Sequence, residues 1–251
     1  MITMRVDLFF TPGQTDEMSL RGKTVVMIDV LRASTTIATA LRNGAKEIIP
    51  VATVESAVKL SGNLFGDVIL LGGERNGKMI EGFHLGNSPS EYTEERVKGK
   101  SIIFSSTNGS QAMVKARFAR EMLVCGFVNI STVAAFLRDA ERDFVVVCAG
   151  SNGMFSLEDA VAAGLLIQKL ADDRHLTLEL SDAALAAQSL YKAFGRGIPK
   201  MLRSVEHGRY LTQIGYEADL ALCAAIDTVP VLPEFAGSVV KLRRDAEKTE
   251  D

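Results

Sequence analysis

Two polar side chains follow the first strongly apolar run of the chain. Residues 24–28 are rich in β-branched types, Asp29 comes directly after them, and Arg32 stands three residues further on. A carboxylate in such a place can hold a divalent cation or act as a nucleophile, and a guanidinium matches the oxygens of phosphate or sulfonate. A turn-capping aspartate or a local ion pair would explain both residues without function. We therefore treat Asp29 and Arg32 as candidate catalytic residues.

Further groups suited to anion binding lie in three polar stretches. Residues 72–77 are rich in glycine, residues 86–89 form a turn by default, and residues 105–110 gather hydroxyls and amides before a predicted helix. Amides beside glycines and at helix starts bind anions, although a tight turn or an N-cap needs no ligand. Neither a Walker A sequence nor a GxGxxG fingerprint is present. The candidates are Glu74 as a catalytic residue and metal ligand and, for substrate binding, Arg75, Asn76, Asn87, Ser88, Ser106, Thr107, Asn108 and Gly109.

Two residues of the C-terminal half are weaker candidates. Asp159 follows Ser156 by three positions, as in a capping box, but its hard oxygens also suit magnesium. His207 could act as a general acid or bind substrate, although such a histidine is more often a surface residue. Two familiar phosphatase patterns are not met: Leu31 stands where a covalent-aspartate phosphatase needs a second aspartate, and Met154 where a cysteine phosphatase needs an arginine.

The elements that position these residues form an internal repeat. Residues 24–71 and 101–147 both alternate in the order β-α-β-α-β, at an offset of 77 at the start and 76 at the end. Gly-Lys pairs precede both units and Asn-Gly pairs follow them, although any two α/β units share some hydrophobic rhythm. Ligands bind beyond the carboxyl ends of parallel strands, so four loops, two from each unit, should meet there.

These patterns predict an α/β fold of three layers, with a mostly parallel sheet built from the two repeated units and a helical C-terminal segment. The predicted division is 1–98 for the first unit with its binding loop and 99–251 for the second unit plus C-terminal helices, or one fused domain. Residues 229–233 contain two prolines, which indicates an edge or covering segment rather than a central strand.

Composition limits the classes of partner. The chain has 251 residues, 47% of them hydrophobic, and a net charge of -3, with no basic cluster that would favour nucleic acid. No apolar run reaches the roughly 18 residues of a membrane span, and the N-terminus lacks the apolar core of a signal peptide. The three cysteines are without CxxC spacing, which argues against a disulfide framework or a thiolate zinc site. We expect a cytoplasmic protein without membrane or nucleic-acid partners.

The motifs together, in this order, resemble the 2-phosphosulfolactate phosphatase (ComB) family. The likeness extends from about residue 6 to residue 230 and includes Asp29-Val-Leu-Arg-Ala-Ser-Thr-Thr, Gly-Gly-Glu-Arg-Asn-Gly, Gly82-Phe-His-Leu-Gly-Asn-Ser-Pro, Thr107-Asn-Gly and Cys148-Ala-Gly. Ser105-Ser106-Thr107 departs from the threonine-rich version expected there but keeps a hydroxyl. The resemblance implies a magnesium-dependent phosphomonoesterase that converts 2-phospho-3-sulfolactate to sulfolactate and phosphate, a step toward coenzyme M or sulfolactate.

A mechanism follows as a hypothesis from this resemblance and the residues above. Mg²⁺ on Asp29, with Glu74 or Asp159, would polarise the phosphate and orient water, while Arg32 and Arg75 clamp phosphate and sulfonate. A covalent aspartyl intermediate at Asp29 is the minor variant. The expected partners are a small anionic phosphorylated substrate and a second copy in a homo-oligomer, a dimer.

The alternatives to this function are a phosphatase for another phosphorylated hydroxy acid, a non-catalytic module that binds phosphorylated metabolites, and a nucleotide-using enzyme. The last is disfavoured because its fingerprints are missing.

Overall fold

Apolar strands alternate with helices through most of the chain, as the hydrophobic pattern predicts. A computed structural model describes residues 2–63 and 68–243. Its strands are β1 (Ile2–Phe9), β2 (Thr24–Ile28), β3 (Glu47–Pro50), β4 (Ile69–Arg75), β5 (Lys78–Met79), β6 (Ser101–Ser105), β7 (Glu121–Cys125), β8 (Phe144–Cys148), β9 (Leu176–Leu180), β10 (Pro233–Ala236) and β11 (Val239–Leu242). Its helices are α1 (Ala33–Arg42), α2 (Val54–Asn63), α3 (Glu94–Val97), α4 (Gly109–Lys115), α5 (Ile130–Ala140), α6 (Leu157–Ala171), α7 (Asp182–Phe194), α8 (Ile198–Ser204), α9 (Glu206–Gln213) and α10 (Glu217–Ala224).

The strands form one large, mostly parallel sheet in the order β5-β4-β6-β3-β11-β10-β7-β2-β8-β1-β9. Strands β4, β6 and β3 pair in parallel on one side, and β7, β2, β8, β1 and β9 do so on the other. The antiparallel hairpin β10–β11 lies between the two groups and pairs with β7 and β3. The predicted α/β class with a mostly parallel sheet is confirmed.

The two predicted repeats exchange partners within this sheet. Strand β2 of the first unit lies between β7 and β8 of the second, whereas β6 of the second lies between β3 and β4 of the first. Backbone shape agrees at both ends of the units: φ is 72° at Gly22 and at Gly99, and 50° at Asn76 against 51° at Asn152. Strands from before residue 98 therefore pair with strands from after residue 99. The division of the chain into two units at this point stays a prediction.

The sheet separates two apolar cores because successive residues of a strand point to opposite faces. In β2 all five residues are buried. Val26 and Ile28 pack with α5, α6 and α7, whereas Val25 and Met27 pack with α1 and α4. The apolar run over residues 24–28 predicts a strand buried on both faces, which is confirmed, and the helices on the two faces of the sheet make the three layers.

Several predicted boundaries were wrong. The sequence predicts Ser34 as the N-cap of a helix over residues 35–43. Helix α1 instead begins at Ala33, and the Oγ of Ser34 accepts a hydrogen bond from the Asp29 amide. The predicted loop 72–77 continues strand β4 as far as Arg75, and only Asn76 and Gly77 form its turn. The predicted end of the second helix at Leu64 and start of the third strand at Asp67 lie outside the described residues.

The C-terminal part is less purely helical than predicted. Strand β9 adds to the sheet beside β1, and hairpin β10–β11 enters its middle. Residues 229–232 form no strand, and Pro233 is tolerated because it is the first residue of β10.

Candidate active site

A cavity of about 330 Å³ opens beyond the carboxyl ends of β2, β4, β6 and β8. All four loops that the repeat predicted to meet there contribute to its wall. Helix α9 and the loop before residue 89 complete it. The lining residues are Asp29, Leu31, Arg32, Glu74, Asn76, Gly77, Asn87, Thr107, Asn108, Ser151, Asn152, Glu206, His207 and Tyr210.

Asp29 is buried at the end of β2, with only 6% of its surface exposed. The Ala33 amide donates to its Oδ1 at 3.4 Å. Burial, and then the charge of Glu74, raise the pKa of Asp29 from 3.8 to about 7. A carboxyl group with this pKa is poised to exchange a proton, or a cation, near neutral pH.

Glu74 lies at the end of β4 and is held by three hydrogen bonds. Its Oε1 accepts from the Thr107 amide at 2.6 Å, and its Oε2 accepts from the Gly77 amide at 2.7 Å and the Thr107 hydroxyl at 3.1 Å. The carboxylate therefore joins the β4 turn to the loop after β6, and its orientation is fixed before any ligand binds.

Arg32 is almost completely buried although it borders the cavity. Its Nη1 donates to Asp219 Oδ2 at 2.7 Å, its Nη2 donates to the Gly77 carbonyl at 2.6 Å, and its guanidinium stacks 4.4 Å from the centre of the Tyr216 ring. The peptide bond between Leu31 and Arg32 is cis. The arginine expected to bind an anion is thus a rigid group with two of its five N–H donors already used.

Two asparagines link the loops after β6 and β8. Asn108 Oδ1 accepts a hydrogen bond from the Asn152 amide at 3.0 Å, and both residues border the cavity. Gly109 lies beside them, where a Cβ would stand 2.6 Å from Oδ2 of Asp29. Gly109 therefore leaves room for the Asp29 carboxylate rather than lining the cavity itself.

Asn87 borders the cavity with an unsatisfied side chain. Its carbonyl accepts from the Thr36 hydroxyl at 2.8 Å, which fixes the backbone. Within the described residues its Oδ1 is buried and has no hydrogen-bond partner. Because an unpaired buried polar atom costs free energy, a donor or cation supplied by a ligand would stabilise this side chain.

Besides Gly109, four predicted residues lie outside the lining of the cavity. Arg75 points to the opposite face of β4 and donates to Ser105 Oγ at 2.8 Å. Ser88 donates to Asp219 Oδ1 at 2.6 Å, and Ser106 and Ser110 bond one another. The two oxygens of Asp159 accept from the Val30 and Gly150 amides at 2.8 and 3.0 Å. The structure brings the other predicted residues to the cavity or, for Gly109, against Asp29.

Helix α9 brings His207 to the wall, stacked against Tyr210 with 6.2 Å between ring centres. Burial, followed by the nearby Arg32 charge, lowers the pKa of His207 below 6.5. The hydroxyl of Tyr210 donates to the Asn76 carbonyl at 2.9 Å, so α9 is anchored to the β4 turn. A neutral imidazole in this place can accept a proton or a hydrogen bond.

Most of the chain matches one family of known proteins. A family model described as 2-phosphosulpholactate phosphatase matches residues 9–238. The chain belongs to this family. A relative from Caldanaerobacter subterraneus subsp. tengcongensis, named probable 2-phosphosulfolactate phosphatase, is 40% identical over 243 residues, which are 96% of this chain and 100% of the relative. Relatives of the same name from Clostridium acetobutylicum and Thermotoga maritima are each 38% identical, over 94% and 88% of this chain and 100% and 92% of their own lengths.

The resemblance predicted from the sequence is therefore confirmed, and with it the class of the protein as a phosphatase, a hydrolase. No helix within the described residues is long and apolar enough to cross a membrane.

The donors in the cavity fit the magnesium that resemblance to the 2-phosphosulfolactate phosphatase family implies. Among described residues, no three carboxylate, histidine or cysteine side chains are grouped closely enough to hold a metal alone. Magnesium, however, keeps several waters and is commonly held by one or two carboxylates together with substrate phosphate. Asp29 and Glu74 border one cavity and repel each other, and Asn87 adds an unpartnered amide oxygen.

Several residues that the structure brings to the cavity were not predicted from the sequence. Ser151 and Asn152 border the cavity. In the repeat they are equivalent to Arg75 and Asn76, and this equivalence was the signal that could have identified them. Glu158 has the ordinary explanation of an acidic residue in the first turn of a helix. It is nevertheless buried, and it lines a second cavity of about 380 Å³ that shares Ser151, Asn152, Glu206 and His207 with the first. Burial raises the pKa of Glu158. No local sequence pattern indicated that Asp219 contacts the site.

Proposed function

We propose that this protein is a magnesium-dependent phosphomonoesterase that hydrolyses 2-phospho-3-sulfolactate to 3-sulfolactate and phosphate, a step toward coenzyme M or sulfolactate. One observation carries the proposal: two buried carboxylates, Asp29 and Glu74, and one buried arginine, Arg32, border the same cavity. Phosphoryl transfer needs cationic charge against the phosphate and fixed orientation more than it needs covalent chemistry. The printed names of the relatives support the choice of substrate.

Each residue has a distinct task in this mechanism. Mg²⁺ held by Asp29 and Glu74 would neutralise phosphate charge, while Asp159, outside the cavity lining, holds the Val30 and Gly150 amides. Arg32 binds phosphoryl oxygens with its remaining N–H donors, and Tyr216 and Asp219 keep its plane fixed. His207, neutral near pH 7, accepts a hydrogen bond or a proton at the cavity wall. Thr107 and Asn108 border the space left for the rest of the substrate.

The test is release of phosphate from phosphosulfolactate, phospholactate and phosphoglycolate, with magnesium and with chelator. We expect magnesium-dependent turnover that favours the sulfonated substrate and that Asp29→Asn abolishes, because the variant keeps the shape of the side chain but loses its charge. Asp139→Asn is the matched control, since that aspartate is 71% exposed. Turnover that is unaffected by chelator, or near-normal activity of Asp29→Asn, would contradict the proposal.

A second candidate is phosphatase activity on a less highly charged phosphorylated hydroxy acid. Within the described lining of the cavity, Arg32 is the only arginine or lysine, and Asp219 already offsets its charge. A substrate with one acidic group besides its phosphate would demand less positive charge. Preference for phospholactate or phosphoglycolate over the sulfonate would favour this candidate.

A further inference from the structure

The position of Arg32 in the cavity depends on a side chain from the far end of the chain. Asp219 belongs to α10 and lies 187 residues from Arg32 in sequence, yet its Oδ2 is 2.7 Å from Arg32 Nη1. The two side chains are 1% and 3% exposed. A buried guanidinium without such a partner would be strongly disfavoured, so this contact fixes where the cation lies.

Asp219 is itself held in one orientation. Its second oxygen, Oδ1, accepts a hydrogen bond from the Ser88 hydroxyl at 2.6 Å, and the Ser88 and Ser90 hydroxyls are 2.8 Å apart. Both carboxylate oxygens are therefore committed, and rotation of the carboxylate would break at least one short bond. Tyr216, which lies just before α10, covers the face of the same guanidinium.

A buried ion pair can serve stability alone, but in this pair one residue borders the cavity and the other does not. Arg32 borders the cavity together with Asp29 and Glu74, whereas Asp219 lies behind it and does not line the cavity. The Asp219 bond takes Nη1 on one edge of the guanidinium, and the Gly77 carbonyl takes Nη2. The N–H donors that remain are thus held in a fixed direction for an anion.

We propose that Asp219 is the positioning residue for Arg32, with Ser88 as its support, so that α10 completes the anion-binding part of the site. The proposal rests on the role given to Arg32 in the proposed function. It also changes the meaning of Ser88, which the sequence suggested as a substrate contact and which here acts through Asp219.

Chemical rescue tests this directly. In Arg32→Ala the space left beside Asp219 and Tyr216 should accept free guanidinium at millimolar concentration. We expect guanidinium to raise the turnover of Arg32→Ala by about tenfold and to raise its melting temperature. In Arg32→Ala/Asp219→Asn both effects should disappear, because the carboxylate that holds the cation is gone. Urea, of similar shape and without charge, is the control for solvent effects.

Equal rescue with and without Asp219 would overturn the proposal, as would an Arg32→Ala protein whose melting temperature guanidinium does not raise. The thermal readout needs no substrate, so it separates the two ideas. If guanidinium stabilises the single variant but wild-type protein releases no phosphate from any substrate, the proposed function fails and the positioning role stands.

Ser88→Ala keeps the result readable if the arginine variants do not fold. It removes one bond to Asp219 and leaves the ion pair in place. We expect it to raise KM or lower kcat so that kcat/KM falls by about fivefold, together with a modest fall in the melting temperature, because one oxygen of the buried Asp219 carboxylate loses its partner. Ser90→Ala is the matched control, because Ser90 contacts Ser88 but has no hydrogen bond to Asp219. Equal kinetics of the two variants would contradict the role of Ser88 and Asp219.

Discussion

Replacing Asp29 by asparagine is expected to stabilise the metal-free protein at alkaline pH while it removes activity. Burial and the neighbouring charge of Glu74 raise the pKa of Asp29 from 3.8 to about 7 in the folded state. In the unfolded chain the group ionises near its ordinary value, about 3.9. Between these values the folded protein binds a proton that the unfolded chain has lost, so ionisation of Asp29 opposes folding as the pH rises.

The size of the effect follows from the same shift. A rise of the pKa from 3.8 to about 7, at about 1.4 kcal/mol per unit, corresponds to about 4 kcal/mol of lost stability. The loss begins near pH 4, where the unfolded group ionises, and is complete just above pH 7. Asparagine does not titrate, so the free energy of unfolding of Asp29→Asn relative to wild type should climb by about 4 kcal/mol between pH 4 and pH 8.

Urea unfolding in the presence of chelator measures this difference at each pH. Asp139→Asn, which alters an exposed carboxylate, should show no comparable pH dependence. Addition of magnesium should raise the stability of wild type but not of Asp29→Asn, because a cation bound to the folded state stabilises it. A stability difference between the two proteins that stays constant from pH 4 to pH 8 would refute the reasoning about Asp29.

Three further substitutions test how the site is built. Gly109→Ala places a Cβ 2.6 Å from Oδ2 of Asp29, so kcat should fall by at least about tenfold, measured as phosphate release. Gly73→Ala should lower the free energy of unfolding by about 3 kcal/mol in urea titrations, because φ is +139° and the new Cβ would stand 2.0 Å from the Ser105 carbonyl oxygen. Arg75→Ala should cost about 2 kcal/mol of stability and change KM by less than about twofold, since its guanidinium bonds Ser105 and lies outside the cavity lining; a large rise in KM would restore Arg75 as an anion clamp.

The sequence was sufficient to predict where the cavity lies but not which side chains enter it. An apolar run that ends in Asp29 places a carboxylate at the carboxyl end of a buried strand. Glu74 and Arg75 were indistinguishable while residues 72–77 read as a loop, because their glycines hide the strand period. Once β4 is seen to continue through Arg75, alternation sends the two side chains to opposite faces, and only Glu74 borders the cavity.

Long-range partners were beyond prediction for a different reason. Asp219 lies in the first turn of α10, where an acidic residue is favoured by the helix dipole alone. No neighbouring residue in the sequence indicates that Asp219 contacts Arg32. The hairpin β10–β11 was equally hidden, because Pro230 precedes it, Pro233 begins it, and each of its strands has four residues. Such short segments become strands through the partners available in the folded sheet rather than through their own propensity.

The hairpin explains how the two halves of the repeat share one site. In the strand order β2 and β6 are five positions apart, which in a flat sheet would separate their ends by about 24 Å. Yet Gly109, which begins α4 after β6, lies against Oδ2 of Asp29, after β2, so the two places are much closer together than the strand order alone would give. Ile37 of α1 and Met113 of α4 pack in one core with Phe235 of β10. Without β10 and β11, strands β3 and β7 would each be the edge of a separate sheet. No strand pairing within the described residues would then connect the half of the sheet that carries Asp29 with the half that carries Glu74.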